Sequence, residues 1–384
     1  MKIELPPGKL YRLEGPANLR IISGSLRVSG GLRTEGDQIV VPRLRSVPIE
    51  VLTRSLVEYQ LGEEGRLEEL TGVAIPEDWT KVIEKIQKSR GKVLIIGEVD
   101  VGKTFFATYV GNVLFQNGLK VAVVDGDVGQ SDIGPPTTVA LGIFEKPVCL
   151  LSEVPMVASY FVGNVSLANH IPEFLAGMAK LTKKGSTLAD VLLINTPGWI
   201  TGLGAFLQIL TEELLEPDIV VGLQRTCELE RILRFFPNWK IQRIPVSPHV
   251  RRRSRGERAE IRRLNFAKYF ENARKVRIDT NKCRILGKHE DYEFWQLGEK
   301  VHFLENLQIM KGLLVGLVDE ERKLLGLGIV DGFNMREKYI EIITAVENPE
   351  KITEIRLGSI RIKPNGEEIS GERYENESGT RNRI

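Results

Sequence analysis

The sequence predicts an α/β protein in which a central parallel sheet is flanked by β-rich regions at both ends. Three observations support this fold class. Apolar residues alternate between Leu19 and Leu61, unbroken β-branched runs alternate with helix-length segments in the middle, and strand-like runs return after about Asp279. A chain of 384 residues is long enough for two or three domains.

The N-terminal region, residues 1–74, is predicted to be a small β domain. Its apolar residues recur at every second position, in Leu19 and Ile21, Leu26 and Val28, Ile49 and Val51, and Val57, Tyr59 and Leu61. Glycine-containing breaks at 30–31 and 36–37 separate these runs. The pattern is typical of short antiparallel strands joined by turns.

The central region, residues 75–278, is predicted to hold the parallel sheet. Apolar residues at helical spacing in 78–86 precede a strand-like run at 93–96, and further runs follow at 121–124, 191–194 and 219–223. Unbroken apolar runs separated by helix-length segments indicate parallel strands that are buried on both faces.

The C-terminal region, residues 279–384, is predicted to be a third, β-rich domain. Strand-like runs occur at 313–318, 325–330, 339–343 and 360–362, with turn residues between them. The polar stretch 371–384 is predicted to be frayed.

The composition is that of a folded enzyme rather than a general polyanion binder. The formal net charge is only +2, so a nucleic-acid partner must be held by a local basic patch. Three widely spaced cysteines argue against a disulfide framework or a zinc site. No window approaches the roughly 18 apolar residues that span a bilayer, so we expect a cytoplasmic protein, or a nuclear one if the host is a eukaryote, without a membrane partner.

A phosphate-binding motif follows the predicted strand at 93–96. The pattern G-x-x-x-x-G-K-[ST] is matched by Gly97, Glu98, Val99, Asp100, Val101, Gly102, Lys103 and Thr104. In this motif the backbone N–H groups point at phosphate oxygens, the lysine contacts the β- and γ-oxygens, and the hydroxyl holds Mg²⁺. We therefore predict a P-loop NTPase core that binds a nucleoside triphosphate.

Two carboxylates, Asp125 and Asp127, follow the next core strand. Residues two apart at the carboxyl end of a parallel strand project to the same side, into the crevice where open α/β sheets bind ligands. One carboxylate can hold Mg²⁺ through water while the other faces an incoming nucleophile. A solvated Asp-Gly turn is the simpler alternative.

A third strand end carries the sequence Asn195-Thr196-Pro197-Gly198-Trp199. Its position resembles the D-x-x-G switch of GTPases, but Asn195 replaces the acidic residue. The indole of Trp199 beside a phosphate site can stack on a nucleobase. Packing of the indole beneath the loop is the alternative.

The most concentrated positive charge is the arginine segment, which we define as residues 251–263. Its members are Arg251, Arg252, Arg253, Arg255, Arg258, Arg262 and Arg263. Arg258 and Arg262 are four residues apart and share one face of a helix. An arginine over a transferring phosphate neutralises the developing charge, and the segment follows the last core strand, where nucleotide kinases often carry a lid. A solvated helix face or a nuclear-import patch is the alternative.

Together these elements resemble the polynucleotide 5′-hydroxyl kinase family. That family includes the kinase subunit of the eukaryotic pre-mRNA cleavage factor, the pre-rRNA processing kinase and shorter archaeal enzymes. The resemblance rests on the P-loop, the D-x-D-x-G-Q run at 125–130, the T-x-G-W sequence at 196–199 and the R-S-x-x-x-R sequence at 253–258. The order β domain, kinase core, β domain also matches, so the resemblance covers most of the chain. The lack of extensions favours the archaeal kind.

The resemblance implies transfer of the γ-phosphate of ATP, with Mg²⁺, to the 5′-hydroxyl end of RNA or DNA. It assigns the triphosphate and Mg²⁺ to Lys103 and Thr104, proton acceptance to Asp127, and help with the metal to Asp125 and Asp127. It assigns the terminal nucleotide to Gln130, Thr196, Gly198 and Trp199, and closure over the phosphates to Arg253 and Arg258. The N-terminal domain is expected to help hold the adenine, and RNA-processing proteins are implied as partners.

Two other functions remain compatible with the sequence. A P-loop GTPase or regulatory NTPase is favoured by the switch-like run 195–198. The candidate for a guanine-reading N-K-x-D, at 281–284, has Arg284 in place of the aspartate. A nucleotide-bound scaffold of an RNA-processing complex would keep the P-loop without transferring phosphate.

Overall fold

The computed structural model describes residues 1–287, 311–334 and 337–369, which fall into two compact units divided after Arg262. Among the described helices, none has the length and apolar character needed to cross a membrane. The predicted boundaries at 74/75 and 278/279 stay predictions, and the stretch 371–384 lies outside the described residues.

The first unit begins with strands, as the alternating apolar residues predict. They are β1 (Lys2–Leu5), β2 (Leu10–Glu14), β3 (Ala17–Ser23), β4 (Ser25–Val28), β5 (Gly31–Thr34), β6 (Gln38–Val41), β7 (Ser46–Val51), β8 (Ser55–Leu61) and β9 (Arg66–Leu70). They form two antiparallel sheets with the orders β1-β8-β3-β6 and β5-β4-β7-β2-β9. In β7, Val47, Ile49 and Val51 are buried while the residues between them are less so, because successive side chains alternate between the two faces.

The strands of the central sheet are β10 (Gly91–Gly97), β11 (Val121–Asp125), β12 (Thr138–Ile143), β13 (Met156–Phe161), β14 (Val191–Asn195), β15 (Ile219–Gln224) and β16 (Ile241–Pro245). Their order is β13-β12-β11-β14-β10-β15-β16. The neighbouring strands β11, β14, β10, β15 and β16 pair in parallel, which confirms the predicted α/β core. β12 and β13 add an antiparallel edge that was not predicted.

Helices cover both faces of this sheet. They are α1 (Glu77–Ser89), α2 (Lys103–Gln116), α3 (Ile171–Ser186), α4 (Leu203–Leu215) and α5 (Glu230–Leu233), and a further helix, α6 (Arg255–Tyr269), follows β16 in the chain. Val93 and Ile95 of β10 share one core with Trp79 and Phe106, from α1 and α2. The alternate residues of β10 pack in a second core with Phe174 and Leu207, from α3 and α4. Burial on both faces explains the unbroken apolar runs.

The second unit contains a six-stranded sheet, which agrees with the predicted β-rich C-terminal region. Its strands are β17 (Arg274–Asp279), β18 (Arg284–Leu286), β19 (Leu313–Val318), β20 (Leu324–Asn334), β21 (Tyr339–Thr344) and β22 (Glu354–Arg361), in the order β17-β21-β20-β19-β22-β18. Val315 and Leu317 of β19 pack in one core with Ile340 and Ile342 of β21.

Candidate active site

The P-loop connects β10 to α2, as the motif predicts. β10 ends at Gly97 and α2 begins at Lys103. Gly102 precedes the helix with a φ of 91°, a conformation that L side chains rarely adopt, so the second glycine of the motif is required by the backbone. Because α2 begins at the lysine, its first N–H groups face the loop, where they can meet phosphate oxygens.

Lys103 is buried and is held by the loop that precedes it. Its Nζ donates hydrogen bonds to the carbonyl oxygens of Gly97 and Glu98, at 2.9 and 2.8 Å. Burial lowers the pKa of Lys103 to about 8, and this effect is opposed by the nearby carboxylates of Asp127, Asp100 and Glu98. An anionic phosphate at this ammonium would favour its charged form.

Asp127 faces Lys103 from the loop after β11. Burial raises the pKa of the Asp127 carboxyl, and the ammonium of Lys103 opposes this rise. Oδ1 of Asp127 accepts a hydrogen bond from the backbone N–H of Gln130 at 3.1 Å, which fixes the carboxylate within its loop. A raised pKa makes the carboxylate a stronger base, which suits proton acceptance.

Asp125 lies deeper in the protein and serves its own loop. It is 1% exposed, and Oδ2 accepts hydrogen bonds from the backbone N–H of Asp132 at 2.7 Å and from Oγ of Ser131 at 3.3 Å. Oδ1 accepts from Nδ2 of Asn195 at 3.0 Å. Burial raises the pKa of Asp125 to about 7, with further contributions from Asp132 and Asp127.

The two carboxylates therefore have different surroundings, although their spacing predicted a common direction. β11 ends at Asp125, so the alternation of a strand no longer applies at Asp127. Asp127 lines both cavities described below, whereas Asp125 lines neither. A role for Asp125 in binding metal stays a prediction.

The run 195–199 follows β14, directly beside β10 and β11. Thr196 is fully buried, and its Oγ1 donates to the carbonyl oxygen of Ile95 at 2.8 Å. Gly198 lies against the P-loop, where a Cβ would come within 2.6 Å of the backbone nitrogen of Val99. Trp199 is partly buried against the core and also lines a cavity. The position of Trp199 is therefore compatible both with stacking on a nucleobase and with packing beneath the loop.

Two arginines of the arginine segment contact the carboxylate of Asp100 in the P-loop. Nη1 of Arg258 is 2.9 Å from Oδ2 of Asp100, and the backbone N–H of Arg253 donates to the same oxygen at 3.1 Å. Arg258 also donates to the carbonyl oxygen of Arg253 at 2.8 Å, so both arginines are held as one structure. Arg258 and Arg262 line one cavity, as their spacing on a helix predicted.

Two cavities meet at this point. The P-loop cavity is lined by Arg12, Ser46, Val47, Pro48, Leu70, Ala74, Val99, Asp100, Gly102, Lys103, Thr104, Phe105, Asp127, Gln130, Asp132, Ser247, His249, Val250, Arg251, Arg253 and Arg258. The Trp199 cavity is lined by Glu98, Val99, Asp100, Asp127, Val128, Gly129, Gln130, Val165, Ser166, Leu167, Ala168, Pro197, Gly198, Trp199, Ile200, Thr201, Arg225, Arg252, Arg253, Arg258 and Arg262. The residues common to both are Val99, Asp100, Asp127, Gln130, Arg253 and Arg258.

Gln130 lies in this common wall. Its Nε2 donates to the carbonyl oxygens of Gly129 and Arg258, at 2.7 and 3.1 Å. Its Oε1 is buried and has no hydrogen-bond partner among the described residues. A buried acceptor without a partner is costly, so a ligand donor at this oxygen would be favourable.

Several residues at the site carried no signal in the sequence. Arg12, Pro48 and Leu70 bring β2, β7 and β9 to the P-loop cavity, and Nη2 of Arg12 donates to the carbonyl oxygen of His249 at 3.1 Å. Arg225, after β15, donates to the carbonyl oxygen of Asp100 at 2.8 Å. These contacts join distant parts of the chain, and no local motif marks them.

Comparison with known proteins places the chain among kinases of nucleic-acid ends. A family model described as the mRNA cleavage and polyadenylation factor CLP1 P-loop matches residues 97–272. A polyribonucleotide 5′-hydroxyl-kinase of Pyrococcus furiosus is 33% identical over 336 residues, which cover 77% of this chain and 95% of the relative. One from Methanocaldococcus jannaschii is 32% identical over 339 residues, covering 77% and 94%.

A solved structure of Clp1p in complex with Pcf11p has a similar fold. Its TM-score is 0.73 at 14% sequence identity, and the match covers 94% of this chain and 97% of that one. At this identity the likeness concerns the fold alone, and it agrees with the predicted P-loop core between β-rich regions.

Proposed function

The chain belongs to the polyribonucleotide 5′-hydroxyl-kinase family, and from this premise we propose that it transfers the γ-phosphate of ATP to the 5′-hydroxyl end of an RNA strand. In the proposed reaction the P-loop cavity holds the nucleotide and the Trp199 cavity holds the strand terminus. A soluble protein of this kind would act with RNA as its main partner, and RNA-processing proteins are further expected partners.

The observation that carries the proposal is the wall shared by the two cavities. Asp127, Arg253 and Arg258 line both of them, between Lys103 on one side and Trp199 on the other. Phosphoryl transfer requires a donor phosphate and an acceptor hydroxyl to meet in line at one point, with positive charge and a proton acceptor beside it. The shared wall supplies both of these groups.

On the donor side, Lys103 and the first N–H groups of α2 would bind the β- and γ-phosphates. Arg253 and Arg258 would neutralise charge that develops on the transferred group. Arg12, Pro48 and Leu70 of the N-terminal sheets line the same cavity and are the candidates to hold the adenine. The N-terminal domain was expected to help hold the adenine, and these three residues are the ones that we propose for this role.

The donor set of the P-loop cavity suits Mg²⁺. Thr104 and Asp127 both line it, and Mg²⁺ is usually bound by one or two protein oxygens together with substrate phosphates and water. When bound, the ion would offset charge on the phosphates. Thr104 and Asp127 would hold it, and the predicted help of Asp125 in positioning the ion would be indirect, because Asp125 lines neither cavity.

On the acceptor side, Trp199 offers an aromatic surface for the terminal base. Arg225, Arg252 and Arg262 line the same cavity and can meet the phosphates that follow the first nucleotide. Oε1 of Gln130 is a buried acceptor that could bind a donor group of the terminal nucleotide other than the 5′-hydroxyl, whose single proton passes to Asp127. These groups would direct the 5′-oxygen toward Asp127.

The proposed chemical step is in-line displacement. The 5′-oxygen attacks the γ-phosphorus, the bond between that phosphorus and the β,γ-bridging oxygen breaks, and ADP leaves. The proton of the 5′-hydroxyl passes to a carboxylate oxygen of Asp127, whose raised pKa makes it an adequate base. No covalent phosphoenzyme is required.

The decisive experiment incubates the purified protein with γ-labelled ATP, Mg²⁺ and matched 5′-hydroxyl RNA and DNA strands. We expect label on the 5′ end of the RNA and none on the same RNA already bearing a 5′-phosphate. Lys103→Ala should abolish labelling, and far-UV circular dichroism of the variant should show that the fold is intact. Binding of ATP without label on any strand would instead support the scaffold function.

A further inference from the structure

Arg45 lies in a tight turn between β6 and β7, outside every motif of the chain. Its backbone N–H donates to the carbonyl oxygen of Pro42 at 3.1 Å, and its own carbonyl oxygen accepts from the N–H of Gly15 at 2.9 Å. Leu44 within this turn has a φ of 63°. These hydrogen bonds fix the backbone of Arg45 against the N-terminal sheets, and so they also fix the point from which its side chain extends.

The side chain of Arg45 forms a buried ion pair with the loop that follows β11. Its Nη2 lies 2.6 Å from Oδ1 of Asp132, and the two side chains are only 12% and 7% exposed. A buried pair is a demanding arrangement, because either partner alone would be an uncompensated charge. The contact joins residues that are far apart in sequence and directly couples the N-terminal sheets to this loop.

The partner of Arg45 belongs to the network that holds the shared wall. The backbone N–H of Asp132 donates to Oδ2 of Asp125 at 2.7 Å. Oδ1 of Asp125 in turn accepts from the N–H of Asp127 at 3.3 Å. A continuous path of hydrogen bonds and one ion pair therefore runs from Arg45 to the residue proposed as the base.

Arg253 and Asp132 both line the P-loop cavity. Burial lowers the pKa of Arg253, the positive charge of Arg45 lowers it further, and the carboxylate of Asp132 opposes both effects. Asp132 thus lies near two arginines, one from the N-terminal sheets and one from the arginine segment. Asp132 therefore links Asp127, Arg253 and the N-terminal sheets.

We propose that Arg45 is a positioning residue for phosphoryl transfer, which sets the loop 125–133 and thereby Asp127 against the acceptor hydroxyl. This inference rests on the proposed kinase function. Arg45 does not line either cavity, so it acts through Asp132 rather than on substrate. A small displacement of a positioned group is enough to cost a large factor in rate.

The test compares Arg45→Met, the double variant Arg45→Met with Asp132→Asn, and Arg43→Met. Arg43 is the matched control, because it lies in the same turn but pairs with Glu64 at 3.2 Å on the surface, where both side chains are more than half exposed. For each variant, kcat and KM are measured with ATP, Mg²⁺ and a 5′-hydroxyl RNA, together with the thermal unfolding midpoint.

We expect Arg45→Met to lower kcat by about tenfold to a hundredfold and to leave KM for ATP within about twofold. Its unfolding midpoint should fall, because the buried carboxylate of Asp132 loses its ion-pair partner. The double variant removes that charge, so its midpoint should recover while kcat stays low. Asp132 lines the P-loop cavity, so Asp132→Asn alone is measured as well, and its kcat should exceed that of the double variant. Arg43→Met should match the wild type in every quantity.

Two results would overturn the inference. In one, Arg45→Met keeps its kcat within about twofold of the wild type. In the other, kcat of the double variant recovers along with the unfolding midpoint, which would make the role of Arg45 purely structural. If Arg45→Met does not fold, the double variant alone decides between these outcomes. A wild type that labels no RNA end would contradict the proposed function itself, so the two failures are distinguishable.

Discussion

Nη1 of Arg258 lies 2.9 Å from Oδ2 of Asp100, and this ion pair joins helix α6 to the P-loop. The carboxylate of Asp100 is mostly buried, with its side chain 12% exposed, and it also accepts the backbone N–H of Arg253. One P-loop residue therefore holds the arginine that a phosphate on this loop would meet. The ion pair therefore holds Arg258 at a defined position beside the P-loop.

Replacing Arg258 with alanine should reduce kcat by about 10³, the lower end of the range known for arginines that stabilise a transferring phosphate. Arg258→Lys should recover only part of this rate, because lysine cannot reproduce the planar guanidinium. Arg90→Ala is the control, since Arg90 also pairs with an aspartate, Asp190, but on the surface. Steady-state kinetics with a 5′-hydroxyl RNA would measure these changes. Equal rates for the alanine variant and the wild type would remove Arg258 from the mechanism.

Replacing Asp127 with asparagine should spare ATP binding and lower kcat by about 10² or more. The amide keeps the shape of the side chain but cannot accept the proton of the attacking hydroxyl. Calorimetry would give the dissociation constant of ATP, and single-turnover labelling would give the rate. Asp78→Asn, at an exposed position of α1, is the control. An unchanged rate would assign the base to another residue.

The sequence predicted the P-loop in full because its function depends on local backbone geometry. Gly97, Gly102 and Lys103 stand at a fixed spacing, and the strand before and the helix after them complete the unit. Burial on both faces likewise made the parallel strands visible as unbroken apolar runs. In the antiparallel edge, β13 was missed because it is mostly half-exposed and lacks such a run. β12 is buried, but an apolar run does not record that the strand pairs antiparallel with β11.

The long-range contacts of the site could not be predicted in the same way. Arg12 and Leu70 reach the P-loop cavity only because β2 pairs with β9, and Arg45 meets Asp132 only in the folded chain. No periodicity or spacing records such pairings. The different surroundings of Asp125 and Asp127 depend on where β11 ends, and element ends are poorly marked in sequence.

The stability of the protein should depend on pH through Asp125. Burial raises the pKa of this carboxyl from 3.8 to about 7, so the folded state binds the proton more tightly than the unfolded state does. The resulting stabilisation is complete below pH 3.8 and is lost as the pH rises toward and through 7. Thermal unfolding of the wild type and of Asp125→Asn, followed from pH 4 to 8 without Mg²⁺ or nucleotide, would isolate this contribution. We expect a shallower pH dependence in the variant, and identical slopes would argue against a proton on Asp125.

Trp199→Ala should raise KM for the RNA by roughly five- to 150-fold, the equivalent of losing 1–3 kcal/mol of base stacking. KM for ATP should change little, because Trp199 lines only the Trp199 cavity. Trp199→Phe keeps an aromatic ring and should recover much of the loss. Trp239→Ala is the control, as Trp239 is 69% exposed and lines neither cavity. Equal KM values for RNA in the two alanine variants would mean that Trp199 only packs against the core.

Binding of RNA should weaken with salt in proportion to the phosphates that the arginines of the Trp199 cavity contact. For single strands the slope of log affinity against log salt is about −0.7 for each phosphate neutralised. Arg252 is exposed and lines this cavity, so Arg252→Ala should lower the magnitude of the slope by about 0.7 while leaving the reaction rate at saturating RNA nearly unchanged. Fluorescence anisotropy with a labelled 5′-hydroxyl strand, titrated at several salt concentrations, would measure the slope. Arg90→Ala should keep the slope of the wild type. Each phosphate that an arginine neutralises releases counterions and adds to the slope. A slope near zero in the wild type would therefore mean that the arginine segment does not follow the strand backbone.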